Sequence, residues 1–304
     1  MWTERGAGPW PPTNEEQVVH SWLVDRLGSA WERREARAIA RVCLDAVTGA
    51  SRLDRLARGY AFRESELDRL AVFAQRIRRG EPVQYVIGQT SFDGMELVCD
   101  PRALIPRPET EELVRALAER LERVQISAGA EWSPRILDVG TGSGCVALAL
   151  ARRFPTARVV GQDVSEEALG LARENGFLHG LEIDWMQRDF LQSGPPPGPF
   201  DVVVSNPPYI PVREREEMDR HVVDHEPELA LFVPDDRPLL FYEALVTAAA
   251  GEMLRPGGWL AMECHVDGAQ SVAGWAAPEV WSEVRCLQDM QGKDRILLMR
   301  KAEG

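Results

Sequence analysis

Ile136-Leu137-Asp138-Val139-Gly140-Thr141-Gly142-Ser143-Gly144-Cys145 opens as a buried strand and breaks into a glycine-rich turn. The apolar run Val146-Ala147-Leu148-Ala149-Leu150-Ala151 then continues as a helix. Alternate glycines let a ligand approach the backbone closely, and a helix start offers free N–H groups. A second strand, Arg158-Val159-Val160-Gly161-Gln162-Asp163, ends in an acid at the spacing that grips a ribose. An ordinary βα turn also carries Gly-x-Gly. A nicotinamide site wants a third glycine where Cys145 stands, and it leaves Asp138 unexplained. Asp-x-Gly-x-Gly-x-Gly with a following strand-end acid fits an S-adenosylmethionine site better, with Asp138 near the methionine end and Asp163 at the ribose.

Downstream, Asp201-Val202-Val203-Val204 leads into Ser205-Asn206-Pro207-Pro208-Tyr209. The Asn206 amide oxygen accepts an N–H, and Pro208 has no N–H to compete for the Pro207 carbonyl. Tyr209 adds a flat face for stacking. Together these residues read as a cradle for a planar –NH2 group, which suits chemistry on an amide or exocyclic amino nitrogen.

From Arg135 onward, strands and helices alternate. Ile136, Val159, Ile183 and Val202 open the first four strands; Trp259–Met262, Val284–Leu287 and Ile296–Met299 complete a mostly parallel α/β sheet with an antiparallel pair at its end. Ligands bind such sheets at the carboxyl ends of the strands, beside the switch point. Upstream, residues 1–12 read as an unstructured lead-in. Thr13-x-x-Glu16 reads as a capping box, and helical spacing runs from Val18 to about Arg79, with Leu53 and Leu56 in the pattern. That predicts a small N-terminal helical bundle over 1–80. Val83–Gly88 and Met95–Val98, flanking Asp93-Gly94, read as a β-hairpin linker over 81–107, and the catalytic domain spans 108–304. Arg33, Arg34, Arg37 and Arg41 read as solvated helix faces.

At 304 residues the chain holds one large domain and a small one, with 44% hydrophobic and 27% charged residues. No apolar run approaches the ~20 residues of a membrane span, and Met1-Trp2-Thr3-Glu4-Arg5 lacks an export signal's apolar stretch. Cys43, Cys99, Cys145, Cys264 and Cys286 are widely spaced, which points to a reducing cytoplasm rather than a disulfide framework or metal cage. The net charge of −13 is uneven: residues 1–88 carry 14 Arg against 12 acids, and the rest carry 21 Lys or Arg against 36 acids. An acidic catalytic half disfavours a naked nucleic acid. Only Lys293 and Lys301 are lysines, a bias that genome composition or adaptation to high salt would produce.

Glu81-Pro82-Val83-Gln84-Tyr85-Val86-Ile87-Gly88, Ile105-Pro106-Arg107-Pro108-Glu109-Thr110-Glu111 and Ser205–Ile210 together resemble the N5-glutamine methyltransferases of peptide chain release factors. The likeness continues through Glu226-Pro227, Pro256-Gly257-Gly258, Glu263 with Gln270, and Asp294-Arg295. It implies a class I S-adenosylmethionine-dependent methyltransferase fold, Rossmann-like with a seven-stranded sheet, behind an N-terminal domain that recognises substrate. It implies cofactor contacts from Asp138, Gly140, Thr141, Gly142, Ser143, Gly144, Asp163, Asp189, Phe190 and Asn206. Asn206, Pro207 and Tyr209 would be catalytic, and with Pro208 would hold the Gly-Gly-Gln glutamine of a class I release factor. After Leu231, where the family has a Gly-rich turn, stands Val233-Pro234-Asp235-Asp236-Arg237-Pro238.

The Asn-Pro-Pro-Tyr alone also fits adenine-N6 methyltransferases, and ribosomal-protein glutamine methyltransferases look similar outside Ile105–Glu111. A non-catalytic S-adenosylmethionine-binding protein is the alternative of another class. His221 and His225 lie four apart beside Asp224 and Glu226, in a charged, loop-like stretch that favours no metal. Glu109 and Glu111 read equally as helix-start acids. The nine Trp read as core or interface residues.

Overall fold

The computed structural model describes residues 8–28, 30–129 and 132–303. In chain order the elements are α1 Glu16–Leu27, α2 Arg33–Thr48, α3 Arg52–Ala57, α4 Glu64–Arg78, α5 Val83–Ile87, β1 Gln89–Phe92, β2 Met95–Val98, α6 Pro108–Ala128, β3 Arg135–Val139, α7 Cys145–Arg153, β4 Arg158–Asp163 and α8 Glu166–His179. Then come β5 Asp184–Gln187, α9 Phe190–Ser193, β6 Phe200–Ser205, β7 Ile210–Pro211, α10 Arg220–Val223, β8 Phe232–Val233, α11 Leu240–Ala248, β9 Leu254–Glu263, α12 Ala269–Ala273, β10 Trp281–Gln288 and β11 Asp294–Lys301. Two compact units emerge: Met1–Gln89 with Asp219–His225, and Thr90–Met218 with Glu226–Gly304. No separate linker body spans 81–107, because its first part belongs to one unit and its remainder to the other.

The helical unit packs Val19, Leu23 and Leu27 of α1 against Ile39, Cys43 and Leu44 of α2 and Leu70, Phe73 and Ile77 of α4. Spacings of three and four residues recur along each helix, as an amphipathic stripe requires. Leu53 and Leu56 do not join this core; Leu53 is 79% exposed. Instead α3 buries Arg55, 1% exposed, whose guanidinium donates to Glu16 Oε2 (2.7 Å), Asp45 Oδ1 (2.6 Å) and Thr48 Oγ1 (3.1 Å). That interaction also explains why the Thr13–Glu16 capping box is absent: α1 starts after Glu15 with no side-chain cap, and the Glu16 carboxylate is held by Arg55. Of the expected lead-in, residues 1–7 lie outside the described residues. The Pro9 carbonyl is held by Trp22 Nε1 (2.8 Å) and Arg26 Nη2 (3.1 Å), so residue 9 is docked. Arg33, Arg34, Arg37 and Arg41 are exposed.

Val83–Ile87 is helical rather than extended, ending at Gly88 with φ 81°. The hairpin is instead β1 with β2, turning at Asp93 (φ 48°) and Gly94 (φ 71°). Both residues have positive φ, the conformation a tight two-residue turn requires.

The second unit is a seven-stranded sheet of order β10-β11-β9-β6-β3-β4-β5, in which β11 runs against the other six strands. The Rossmann-like, mostly parallel α/β fold therefore matches the expectation, and β3 and β6 are neighbours in it. Alternation sends Ile136, Val202 and Val204 toward α6 and α7, and Leu137, Val139 and Val203 toward α11 and α12. The chain moves outward from β3 through β4 and β5, then returns to β6 on the other side of β3. That reversal opens a crevice at the carboxyl ends of β3 and β6.

Candidate active site

A cavity of about 390 Å³ lies at this edge, lined by the β3–α7 turn, the ends of β4 and β6, and the segment from Pro101 to Thr110. That volume falls in the range of small-molecule sites. Asp138, on β3, faces α7: its Oδ2 accepts from Thr141 Oγ1 (2.6 Å) and from Ala147 N (3.2 Å) in the first turn of that helix. The carboxylate thus satisfies an orphan N–H at the helix start, and burial pushes its pKa up to about 7. Asp163 accepts from Gly142 N and Ser165 N, both at 2.9 Å, which ties the end of β4 to the glycine turn. Burial raises its pKa too.

Gly140 (φ 71°) and Gly142 (φ 55°) hold the turn in the left-handed region while lining the cavity. Thr141, Ser143, Asp189, Phe190, Asn206, Pro207 and Pro208 line it as well. Asp189 caps α9 by accepting from Leu191 N (2.9 Å) and Gln192 N (3.2 Å). Two expected residues sit elsewhere. Gly144 (φ 81°) is the N-cap of α7 rather than a cavity residue; a Cβ there would lie 2.8 Å from Trp185 and 3.1 Å from Ala172. Tyr209 is not among the lining residues either: its ring packs against the cluster under α11, and its hydroxyl donates to Glu263 Oε1 (3.0 Å).

Glu263, at the end of β9, also accepts from Thr110 Oγ1 (2.6 Å), and Thr110 Oγ1 accepts from Asn206 Nδ2 (3.0 Å). Burial raises the Glu263 carboxyl above its usual range, and burial followed by Glu263 raises the Tyr209 phenol. Neither Thr110 nor Glu263 stood out from sequence as a site residue. The available signal was Glu263 terminating the strand beside the one that carries Asn206. In sequence Glu226 stands out only through the family likeness and its place beside His225; its carboxylate accepts from Ile105 N (3.0 Å) and pairs with Arg107, fixing the Pro-x-Pro segment that walls the cavity.

A methyl-donor cofactor fits these residues. Ser143 Oγ and Gln162 Oε1 are buried without a partner, both residues line the cavity, and two carboxylates stand beside a turn with exposed backbone. Cys145 is a buried thiol pushed up to about 12 by burial, so it is protonated and a poor nucleophile. Glu111 accepts from Asp93 N (3.0 Å) and so braces the hairpin turn. His221 stacks on Trp31 at 4.1 Å and donates from Nδ1 to the Gly80 carbonyl (2.7 Å), all within the helical unit. In the 233–238 loop, Asp235 Oδ1 accepts from Arg213 N (2.8 Å). Among the described residues no group of three His, Cys, Asp or Glu is placed to hold a metal, and no helix is long and apolar enough to cross a membrane.

Residues 19–88 match the family described as PrmC N-terminal domain, and residues 136–225 match the family described as methyltransferase domain. The chain is 39% identical over 267 residues to the release factor glutamine methyltransferase of Chlorobaculum tepidum, covering 86% of this chain and 89% of that protein. The Bacteroides thetaiotaomicron protein of the same name is 40% identical over 223 residues, covering 73% of this chain and 77% of its own length. The Flavobacterium psychrophilum protein, also of that name, is 33% identical over 276 residues, or 90% and 95%.

Proposed function

The chain belongs to the release factor glutamine methyltransferase family, and from that premise we propose that it moves a methyl group from S-adenosylmethionine to the side-chain amide nitrogen of a glutamine. The substrate is the Gly-Gly-Gln glutamine of a class I release factor, a protein of the cytoplasm, and the helical unit serves its recognition. One observation carries the assignment: the glycine turn with its two carboxylates and the Asn206-Pro207-Pro208 cradle open onto a single cavity.

S-Adenosylmethionine, when bound, supplies an electrophilic methyl on a sulfonium. Asp163 would take the ribose hydroxyls, Asp138 would face the methionine end, and Asp189 with Phe190 would hold the adenine. Gly140, Thr141, Gly142 and Ser143 form the wall against which it lies. An amide nitrogen is a weak nucleophile because its lone pair is delocalised, so the site must work by placement. Asn206 Oδ1 and the Pro207 carbonyl would accept the two hydrogens of the glutamine –NH2, and Pro208 keeps a competing donor away. Tyr209 acts behind Asn206, through Glu263, rather than as a stacking face. Held reactants gain roughly 7–11 kcal/mol from positioning alone.

Removing one well-placed polar partner typically costs about 3–4 kcal/mol in the transition state. Asn206→Ala is therefore expected to lose at least about a hundredfold in kcat while binding S-adenosylmethionine normally. Calorimetric cofactor binding paired with turnover on unmethylated release factor checks this, and near-normal turnover would remove Asn206 from the mechanism.

A further inference from the structure

Asn206 can be useful to an –NH2 group only one way round. Its oxygen must face the substrate; turned over, it would present a second –NH2 to the first. Nothing in the Asn206 side chain itself decides between the two faces, since oxygen and nitrogen are nearly the same size.

We propose that Thr110 and Glu263 are positioning residues that decide it, and so make the site selective for a nucleophile that donates hydrogens. The proposal rests on the reading of the substrate as a primary amide. Glu263 is 1% exposed, and each of its oxygens receives a hydroxyl: Oε2 from Thr110 (2.6 Å) and Oε1 from Tyr209 (3.0 Å). The single hydroxyl hydrogen of Thr110 is thereby committed to the carboxylate. What Thr110 Oγ1 has left is lone pairs, and these meet Asn206 Nδ2 at 3.0 Å. An inverted Asn206 would set its oxygen against those lone pairs and leave an acceptor pair unsatisfied beside a buried carboxylate. The chain Tyr209→Glu263←Thr110←Asn206 therefore has one consistent direction, and it leaves Asn206 Oδ1 for the substrate. Glu263 reaches the substrate through two intervening side chains and touches none of the reacting atoms.

The test is steady-state methylation of unmethylated release factor by the full chain carrying Thr110→Val, Thr110→Ser or Glu263→Gln, with cofactor binding measured in parallel. Thr110→Val removes only the hydroxyl and is expected to lower kcat by about tenfold or more, with cofactor affinity unchanged and KM within about twofold. Thr110→Ser keeps the hydroxyl and should recover most of the rate. An Asn206→Asp side chain has no amide to orient and sets an oxygen against the Thr110 lone pairs either way, so in that background adding Thr110→Val should not lower the residual rate. Glu263→Gln, which presents a donor and an acceptor in place of two acceptors, should fall between wild type and Thr110→Val. A Thr110→Val enzyme as fast as wild type, or a valine cost that is the same with and without Asn206→Asp, would overturn the proposal while leaving the glutamine assignment intact. Failure of the wild-type chain to methylate the release factor would instead overturn the assignment on which the proposal stands.

Discussion

Asp138 is buried, accepts from both Thr141 and Ala147, and has its pKa pushed up to about 7 by that burial. A raised carboxyl pKa means that the ligand-free fold holds its proton more tightly than the unfolded chain does. Its contribution to stability is present at low pH and is lost as pH rises through about 7. A bound α-ammonium reverses the preference, because the cation favours the ionised form. S-Adenosylmethionine affinity should therefore weaken by about tenfold between pH 8 and pH 6, with Asp138→Asn binding weakly and nearly independently of pH. Calorimetric titration across that range checks it, and a flat wild-type profile would take Asp138 away from the ammonium. Asp138 and Asp163 were readable because each sits at a fixed offset from the glycine turn. The residues behind Asn206 are not: Thr110, in the first turn of α6, and Glu263, at the end of β9, are 153 residues apart in sequence, and only the packing of that helix on the sheet brings them together.

At the scale of elements, Trp185 on β5 governs how closely β4, α7 and α8 approach. A Cβ at Gly161 would lie 2.5 Å from its ring, and one at Gly144 2.8 Å. Overpacking of this kind costs about 1–3 kcal/mol. Gly161→Ala is expected to destabilise the enzyme by about 2 kcal/mol in chemical denaturation, and a Trp185→Leu background should shrink that cost. An equal cost in both backgrounds would show that Trp185 is not the obstacle. β3, β4 and β6 are legible because buried strands carry continuous apolar runs bounded by turns, and they begin within a residue or two of where the pattern places them. Val83–Ile87 reads as extended for a related reason, and the structure makes it helical. Five residues rich in β-branched and aromatic types show no period, and burial of Tyr85 and Val86 settles them as a helical turn closed by Gly88. The motif places Gly144 among the cofactor contacts, and a Cβ there would meet Trp185 and Ala172.

At the scale of the whole molecule, each unit carries its own core, and the helical one is organised around a buried charge that apolar periodicity does not reveal. Arg55 and Glu16 form an ion pair that is 0% and 6% exposed, with Asp45 as a second acceptor. Breaking such a pair strands a charge at about 3–5 kcal/mol. Glu16→Leu should therefore destabilise the helical unit by about 3 kcal/mol, with Asp45 offsetting part of the loss, while S-adenosylmethionine affinity stays within about twofold. Thermal unfolding together with cofactor titration checks both halves of that expectation, and a large loss of affinity would contradict the separation of the two cores. The acidic balance of residues 89–304 agrees with a protein rather than a nucleic-acid substrate.

The proposed function places methylation of a glutamine amide at the Asn206 cavity. It is tested most directly by incubating the purified chain with labelled S-adenosylmethionine and unmethylated class I release factor, then mapping the label by peptide mass. The expected result is a single methyl on the side-chain amide of the Gly-Gly-Gln glutamine, absent with Asn206→Ala. Label on any other residue, or none on an authentic factor by a chain that binds the cofactor, would contradict it.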